Sequence, residues 1–237
     1  MSDAGRDEAL LALLRQAACS LPADVESALE TALAGERDPL ARLVLGQALR
    51  NGLQARAEAL PLCEDRGRPV FFVADEAMTG VVKRAARRAR AEGYLGAPAR
   101  LLPWEGAGDS FAALVQGRAC RRAARVLRLP SAEEGTLAAK VARAVARAKD
   151  ALCPPLVVGV GLGETRAQAR LAALRALLRP LDDPLTPLEE RLLEAVRDVC
   201  RDAPILGLRL RGRLPASWLA LEFLCRSARR LVAPLPR

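Results

Sequence analysis

Six cysteines and no histidine set the terms of any chemistry open to this chain of 237 residues. Without histidine there is no Ser-His relay and no His-ligated metal site. The cysteines fall into two groups. Cys19, Cys120 and Cys200 lie inside stretches of helical periodicity, where a thiol packs as a small apolar side chain. Cys63, Cys153 and Cys225 lie at segment ends beside Pro, Gly or charged residues, where a side chain can turn toward a shared site. These three are separated by 90 and 72 positions, which excludes a zinc ribbon or a ferredoxin pattern, since both bring cysteines within a few residues of each other. Three thiolates converging from distant loops can hold a cubane cluster and leave its fourth iron open. On spacing alone, three unrelated cysteines are the simpler account.

The second candidate is Gly159-Val-Gly-Leu-Gly-Glu164, read as a glycine loop between a strand and a helix. A dinucleotide fingerprint needs Gly-x-Gly-x-x-Gly and an acidic residue at the end of a second strand. Here the glycines alternate, and the chain runs through a helix to Pro180 and Asp182 without a second strand. A helix N-terminus behind such a loop can still receive a carboxylate on its backbone N–H groups. That leaves an anion-binding role and no nucleotide.

The elements that must position these residues are mostly helical at the start. Residues 7–19 show helical spacing, a second pattern begins in Ser20-Leu-Pro-Ala-Asp-Val and runs to Ala34 with Gly35 as its stop, and a third is predicted from Pro39 to Leu60 with Asp38 as N-cap. Polar, turn-forming residues at 61–67 then lead into a strand at 70–74 and a basic helix over 76–92. Residues 93–108 are broken by Gly and Pro and show no period. Further helices are predicted at 134–150, 165–178 and 188–200, with strands from 156, at 205–211 and at 218–224. Together these describe an α+β fold with a helical N-terminal region and helices packed around a mixed or antiparallel sheet. The chain reads as a single domain over 1–237, with a linker at Pro180–Pro187 where a hinge or subdomain edge could fall.

Composition narrows the setting. A hydrophobic content of 51% supports a sizeable core. No apolar run approaches a membrane span, no leader is legible in Met1–Glu8, and thiols are expected in a reducing, cytoplasmic compartment. The formal charge of +9 invites a polyanion. Yet the densest basic runs, 83–90 and 118–128, contain no aromatic residue on which bases could stack. Solvated helix faces account for them better, and nucleic acid is not the expected partner.

Three ordered segments bring in a family resemblance. Cys63-Glu64-Asp65-Arg66-Gly67 matches a Cys-Gln-Asp-Thr-Gly motif. Cys153-Pro154-Pro155, the following strand and Gly159 to Thr165 match a Cys-Pro-Pro segment leading to Gly-Val-Gly-Ile-Gly-Gly-Thr. The stretch from Trp218 through Cys225 to Arg230 matches a closing segment in which Ala-Arg-Arg follows a cysteine. The chain thus resembles the alpha subunit, or N-terminal domain, of class I fumarases and L-tartrate dehydratases over most of its length outside residues 93–135. The resemblance implies a 4Fe-4S cluster on Cys63, Cys153 and Cys225, and a hydro-lyase acting on a small hydroxy-dicarboxylate. Asp65 would assist a base contributed by a separate beta subunit, in an oligomer with the active site at the subunit interface. Glu64, Gly161, Gly163 and Arg100 would lie along the substrate. Several positions depart from the family pattern. Glu64 replaces Gln, Arg66 replaces Thr, and Gly96 replaces the Arg of a Tyr-Leu-Arg clamp at Tyr94-Leu95-Gly96. A Lys-Gly-Gly-Gly-Ser segment has no counterpart between Ala97 and Glu133. The same departures suit a second reading, a non-catalytic member that keeps the cluster for a structural or sensing role.

Overall fold

The computed structural model describes residues 3–73, 76–104, 110–129 and 134–234. Ala74, expected to close the first strand, and residues 105–108 of the stretch without a period lie outside them. The chain divides into two compact units, Met1–Pro22 with Arg50–Arg118 and Arg229–Arg237, and Ala23–Leu49 with Ala119–Ala228.

In the first unit, strand β1 (Arg68–Val73) is flanked by β2 (Arg100–Pro103), parallel to it, and by β3 (Ser110–Gln116), antiparallel. The last strand, β8 (Arg230–Pro234), continues the sheet beside β3, giving the order β2-β1-β3-β8. Helices α1 (Asp3–Cys19) and α4 (Glu76–Ala91) pack on each other and close the core with Leu10, Leu14, Val82, Ala85, Phe71 and Phe111. The basic run of α4 is a solvated face, as expected, and it is matched in charge: Arg84 pairs with Asp7 at 2.7 Å and Arg88 with Glu8 at 2.9 Å, both acids on α1. At these half-exposed positions each pair is worth little, roughly 0–1 kcal/mol.

The second unit holds the sheet β4-β7-β5-β6, from β4 (Arg125–Arg128), β5 (Leu156–Gly163), β6 (Ile205–Arg211) and β7 (Trp218–Leu224). Central β5 pairs parallel with β6 and antiparallel with β7. Side chains of Val158, Val160 and Leu162 join the core formed with α6 (Glu134–Ala148) and α8 (Pro187–Val199), where Val141, Val145, Leu192 and Val196 are buried. Helix α7 (Arg166–Ala176) follows directly after β5 and packs on it. Also in this unit are α2 (Ala23–Gly35) and most of α5 (Arg118–Ala123), while α3 (Pro39–Ala57) runs from this unit into the first. Asp38 caps α3 as expected, its Oδ1 accepting the Ala41 N–H at 2.8 Å.

Gly159-Val-Gly-Leu-Gly163 is therefore strand and not the loop that its glycines suggest. The physical reason lies in α7. A Cβ on Gly159 would stand 2.4 Å from the Ala173 carbonyl oxygen, and one on Gly161 would stand 2.0 Å from that of Ala169. Glycine here lets a helix backbone rest on a strand backbone. At the helix start, Thr165 and Gln168 form a capping box that takes up the local N–H groups.

Residues 180–187 lie within the second unit. The guanidinium of Arg209, only 1% exposed, donates from Nε to the Pro180 carbonyl and from Nη2 to that of Asp183, both at 2.9 Å. The buried Glu189 carboxylate accepts from Arg179 and from the Leu210 N–H, each at 2.7 Å, and from the Thr186 N–H at 2.9 Å.

Both sheets share one plan: a central strand, a helical connection, a parallel edge strand, then an antiparallel strand on the other side. The run β1-α4-β2-β3 builds most of one and β5-α7-α8-β6-β7 most of the other. After each run the next strand, β4 or β8, edges the other run's sheet.

Candidate functional site

Cys63 sits in the loop between α3 and β1, half-buried, with Glu64 and Asp65 exposed beside it. The backbone before it is held on both sides of one residue: the Leu62 N–H donates to the Ala18 carbonyl at 2.9 Å, and the Asn51 amide donates to the Leu62 carbonyl at 3.0 Å. After it, the Asp65 carboxylate bridges two backbone donors. Oδ1 accepts from Gly67 at 3.0 Å, and Oδ2 accepts from Arg118 at the first turn of α5. Gly117 makes room, since a Cβ there would lie 2.9 Å from Oδ2. Gly67 itself has φ +68 and its carbonyl accepts from Gly96 at 3.0 Å. Finally Arg229, just before β8, donates from Nη2 to the Asp65 carbonyl at 2.7 Å and from Nη1 to the Arg66 carbonyl at 3.1 Å.

Two substitutions against the family pattern meet in this unit. A Cβ on Gly96 would lie 3.0 Å from the Arg66 Cβ. The position that lacks the clamp arginine thus faces one that gains an arginine. Arg100, at the start of β2, is exposed and pairs in register with Val70, near the loop's end of β1.

In the second unit, Cys153 precedes the cis-linked Pro154-Pro155 ahead of β5 and is exposed, while Cys225 directly follows β7 and is half-buried. Antiparallel pairing of β5 with β7 brings them together: the Arg226 N–H donates to the Cys153 carbonyl at 3.1 Å. The Cys225 Sγ lies 4.0 Å from Ser227 Oγ. Gly161 and Gly163 are at the opposite end of β5, where they pair with Ala220 and Trp218. Five residues of strand from Leu156 to Gly161 span roughly 16 Å, so the structure does not bring these glycines to the two cysteines. Close packing under α7 accounts for their missing side chains without a substrate.

The helix-borne cysteines behave as packing residues. Cys19, Cys120 and Cys200 are buried, and none of the six cysteines forms a disulfide. Burial pushes the Cys19 thiol up, opposed by the charge of Arg66, and pushes that of Cys200 up as well, opposed by Lys149. Within either unit, among the described residues, no three Cys, Asp or Glu side chains are grouped as a metal site. Sulfur at a loop position is the donor type an iron-sulfur cluster takes; Cys63 stands at one such position in the first unit, and Cys153 and Cys225 at two in the second.

The loop motifs belong to a class that sequence comparison identifies. The pattern of the family described as Fumarate hydratase (Fumerase) matches residues 7–102 and 101–200, and the chain belongs to that family. A protein of Methanocaldococcus jannaschii, provisionally named L(+)-tartrate dehydratase subunit alpha, is 27% identical over 238 aligned positions, which cover 84% of this chain and 83% of that protein. The family is one of hydro-lyases. Among the described residues no helix is long and apolar enough to cross a membrane.

Proposed function

We propose that this chain is the cluster-bearing alpha subunit of a hydro-lyase that reversibly removes water from a small hydroxy-dicarboxylate, working with a separate beta subunit in a reducing, cytoplasmic compartment. Cys63, Cys153 and Cys225 would be the ligands of a 4Fe-4S cluster. The observation that carries the reading is the sorting of the thiols: three are buried within or at the end of helices, while the three in family motifs stand at loop positions, two of them side by side. When bound, such a cluster supplies a Lewis-acidic iron without a protein ligand.

The chain's own residues would do the rest of the work on this side of the site. Arg100 and Arg66 offer guanidiniums suited to paired contact with carboxylates. Arg66 replaces the clamp arginine from across the Gly67–Gly96 contact. Exposed Glu64 would disfavour a second carboxylate nearby and so steer the choice of hydroxy acid away from fumarate's own hydration product. Asp65, held by Gly67 and Arg118, would present a fixed carboxylate to the proton-transferring group of the partner subunit. The face of the strand at Gly161 and Gly163 is taken by α7, so neither would be a substrate contact.

The departures at residues 64, 66 and 96 favour one other reading, a non-catalytic member that keeps the cluster. Anaerobic reconstitution with ferrous iron and sulfide, followed by a hydration and dehydration assay with the beta partner, separates the two. Turnover of a hydroxy-dicarboxylate is the expected result, whereas an intact cluster with no turnover across tartrate, malate and their relatives leaves the second reading. Wild-type iron content in Cys63→Ser removes both.

A further inference from the structure

We infer that Arg229 is the positioning residue that sets the Cys63 loop for cluster ligation, an assignment that rests on the cluster reading above. Arg229 is 1% exposed, a placement that costs a charged side chain heavily unless polar partners replace the lost water. Two of those partners are successive main-chain carbonyls of one loop, Asp65 at 2.7 Å and Arg66 at 3.1 Å. Adjacent carbonyls presented to one planar fork define a turn, and the fixed geometry of a guanidinium matches it where a single ammonium would not. Arg229 is anchored in turn, because its own carbonyl accepts the Val115 N–H of β3 at 2.9 Å.

Cys63 therefore hangs between two fixed points. Leu62 is held through both its N–H and its carbonyl, and residues 65 and 66 are held by Arg229. With the backbone set on both sides, the thiol's direction follows from one χ1 choice. The chain adds a linkage of its own: Arg229 lies four residues after Cys225, so the segment that supplies one thiol also supplies the side chain that orients another.

Arg209 provides a matched comparison. It is equally buried and also donates to two main-chain carbonyls, but those of residues 180 and 183, which belong to no cysteine loop. Arg229→Met, Arg229→Lys, Arg209→Met and Cys63→Ser would be reconstituted anaerobically as full chains with ferrous iron and sulfide. Iron release to a chelator, the electron paramagnetic resonance of the cluster and thermal stability would then be followed. Replacing a residue that orients a metal ligand weakens the site about 10–100-fold, and that is the acceleration of iron release expected for Arg229→Met. Arg229→Lys should fall between it and wild type, and the cluster spectrum should be altered in both. Arg209→Met should lose stability yet release iron as wild type does. Iron release by Arg229→Met no faster than by Arg209→Met overturns the assignment and leaves the cluster reading standing. Unchanged iron in Cys63→Ser overturns the cluster reading itself, and the assignment with it. If Arg229→Met does not fold, Arg229→Lys decides: wild-type release and spectrum in that variant overturn the assignment.

Discussion

Gly161→Ala adds one methyl group where the structure leaves no room for it. The new Cβ would lie 2.0 Å from the Ala169 carbonyl oxygen, 2.3 Å from the Ala173 nitrogen and 2.9 Å from the Ala173 Cα. All three are backbone atoms of α7, so no side-chain rotation relieves the clash, and the helix must move off the strand by about 1 Å. A gap of that size forfeits about a quarter to a half of each dispersion contact along the face. That face buries Ala169, Ala173, Leu174 and Ala176. Overpacking of a tight core costs about 1–3 kcal/mol, and a case that moves backbone belongs at about 3 kcal/mol. Gly35→Ala is the internal control: nothing lies within 4 Å of its Cβ, its φ is not positive, and it ends helix α2. It should change stability by less than about 1 kcal/mol, in the favourable direction. Urea unfolding in a Trp104→Phe background, with Trp218 of β7 as the remaining tryptophan fluorophore, reads the second unit directly. A Gly161→Ala stability within about 0.5 kcal/mol of Gly35→Ala would refute the account of the glycine stripe.

Asp65→Asn turns one of two acceptor oxygens into a donor facing a backbone N–H, and should cost about 0.5–2 kcal/mol by loss of a cap; an unchanged melting temperature would leave Asp65 without its structural task. Burial alone would raise the pKa of Glu189, but hydrogen bonds from Thr186 and Leu210 and the charge of Arg179 outweigh it, and the net shift is downward from 4.5. The stability Glu189 contributes is thus complete above that ordinary value and is lost only as pH falls through the lower folded value. The wild-type advantage over Glu189→Gln should be flat from neutral pH down to about 5 and should shrink in more acidic solution, as followed by pH-jump unfolding. In the metal-free chain at pH 8, mild alkylation with peptide mass spectrometry should find Cys153 modified first and Cys19 and Cys200 last, since these two are buried with thiols pushed up.

Much of the fold was legible because it is written in local periods. Helices α1 to α4 and α6 follow 3.6-residue spacing, β6 and β7 occupy the stretches their apolar composition marks, and the capping of α3 by Asp38 is spelled in two residues. Strands β2, β3, β4 and β8 were not anticipated. β2 and β4 are four residues long with arginine at an end, and β3 (SFAALVQ) is too short and too evenly apolar to show alternation. The glycines of β5 misled in a specific way: glycine marks a loop when the chain needs freedom, but here it marks the approach of another backbone, which only the placement of α7 reveals. At the site, the separation of the cysteines into two groups was readable from their neighbours. The clamp of Arg229 on the Cys63 loop was not, because its partners lie 163 and 164 positions away. The one hint was a basic doublet, Arg229-Arg230, ahead of an apolar stretch, where a solvated edge would be the ordinary reading. Burial pushes Arg230 down to about 10, a sign of how little solvent this doublet meets.

The exchange of edge strands between the two sheets bears on how the chain is made. As the polypeptide emerges from the ribosome, β1, β2 and β3 can pair early, but β3 keeps an open hydrogen-bonding edge until β8 has been synthesised. An unpaired apolar strand edge is a template for association with other chains. The interval between β3 and β8 is therefore the one in which this edge is open to such association. Arg229 arrives at the head of that same strand, so the Cys63 loop also stays unclamped until that strand has been made. A fragment ending before residue 229 would keep Cys63, Cys153 and Cys225, yet lack the side chain that holds the Asp65 and Arg66 carbonyls beside the first of them.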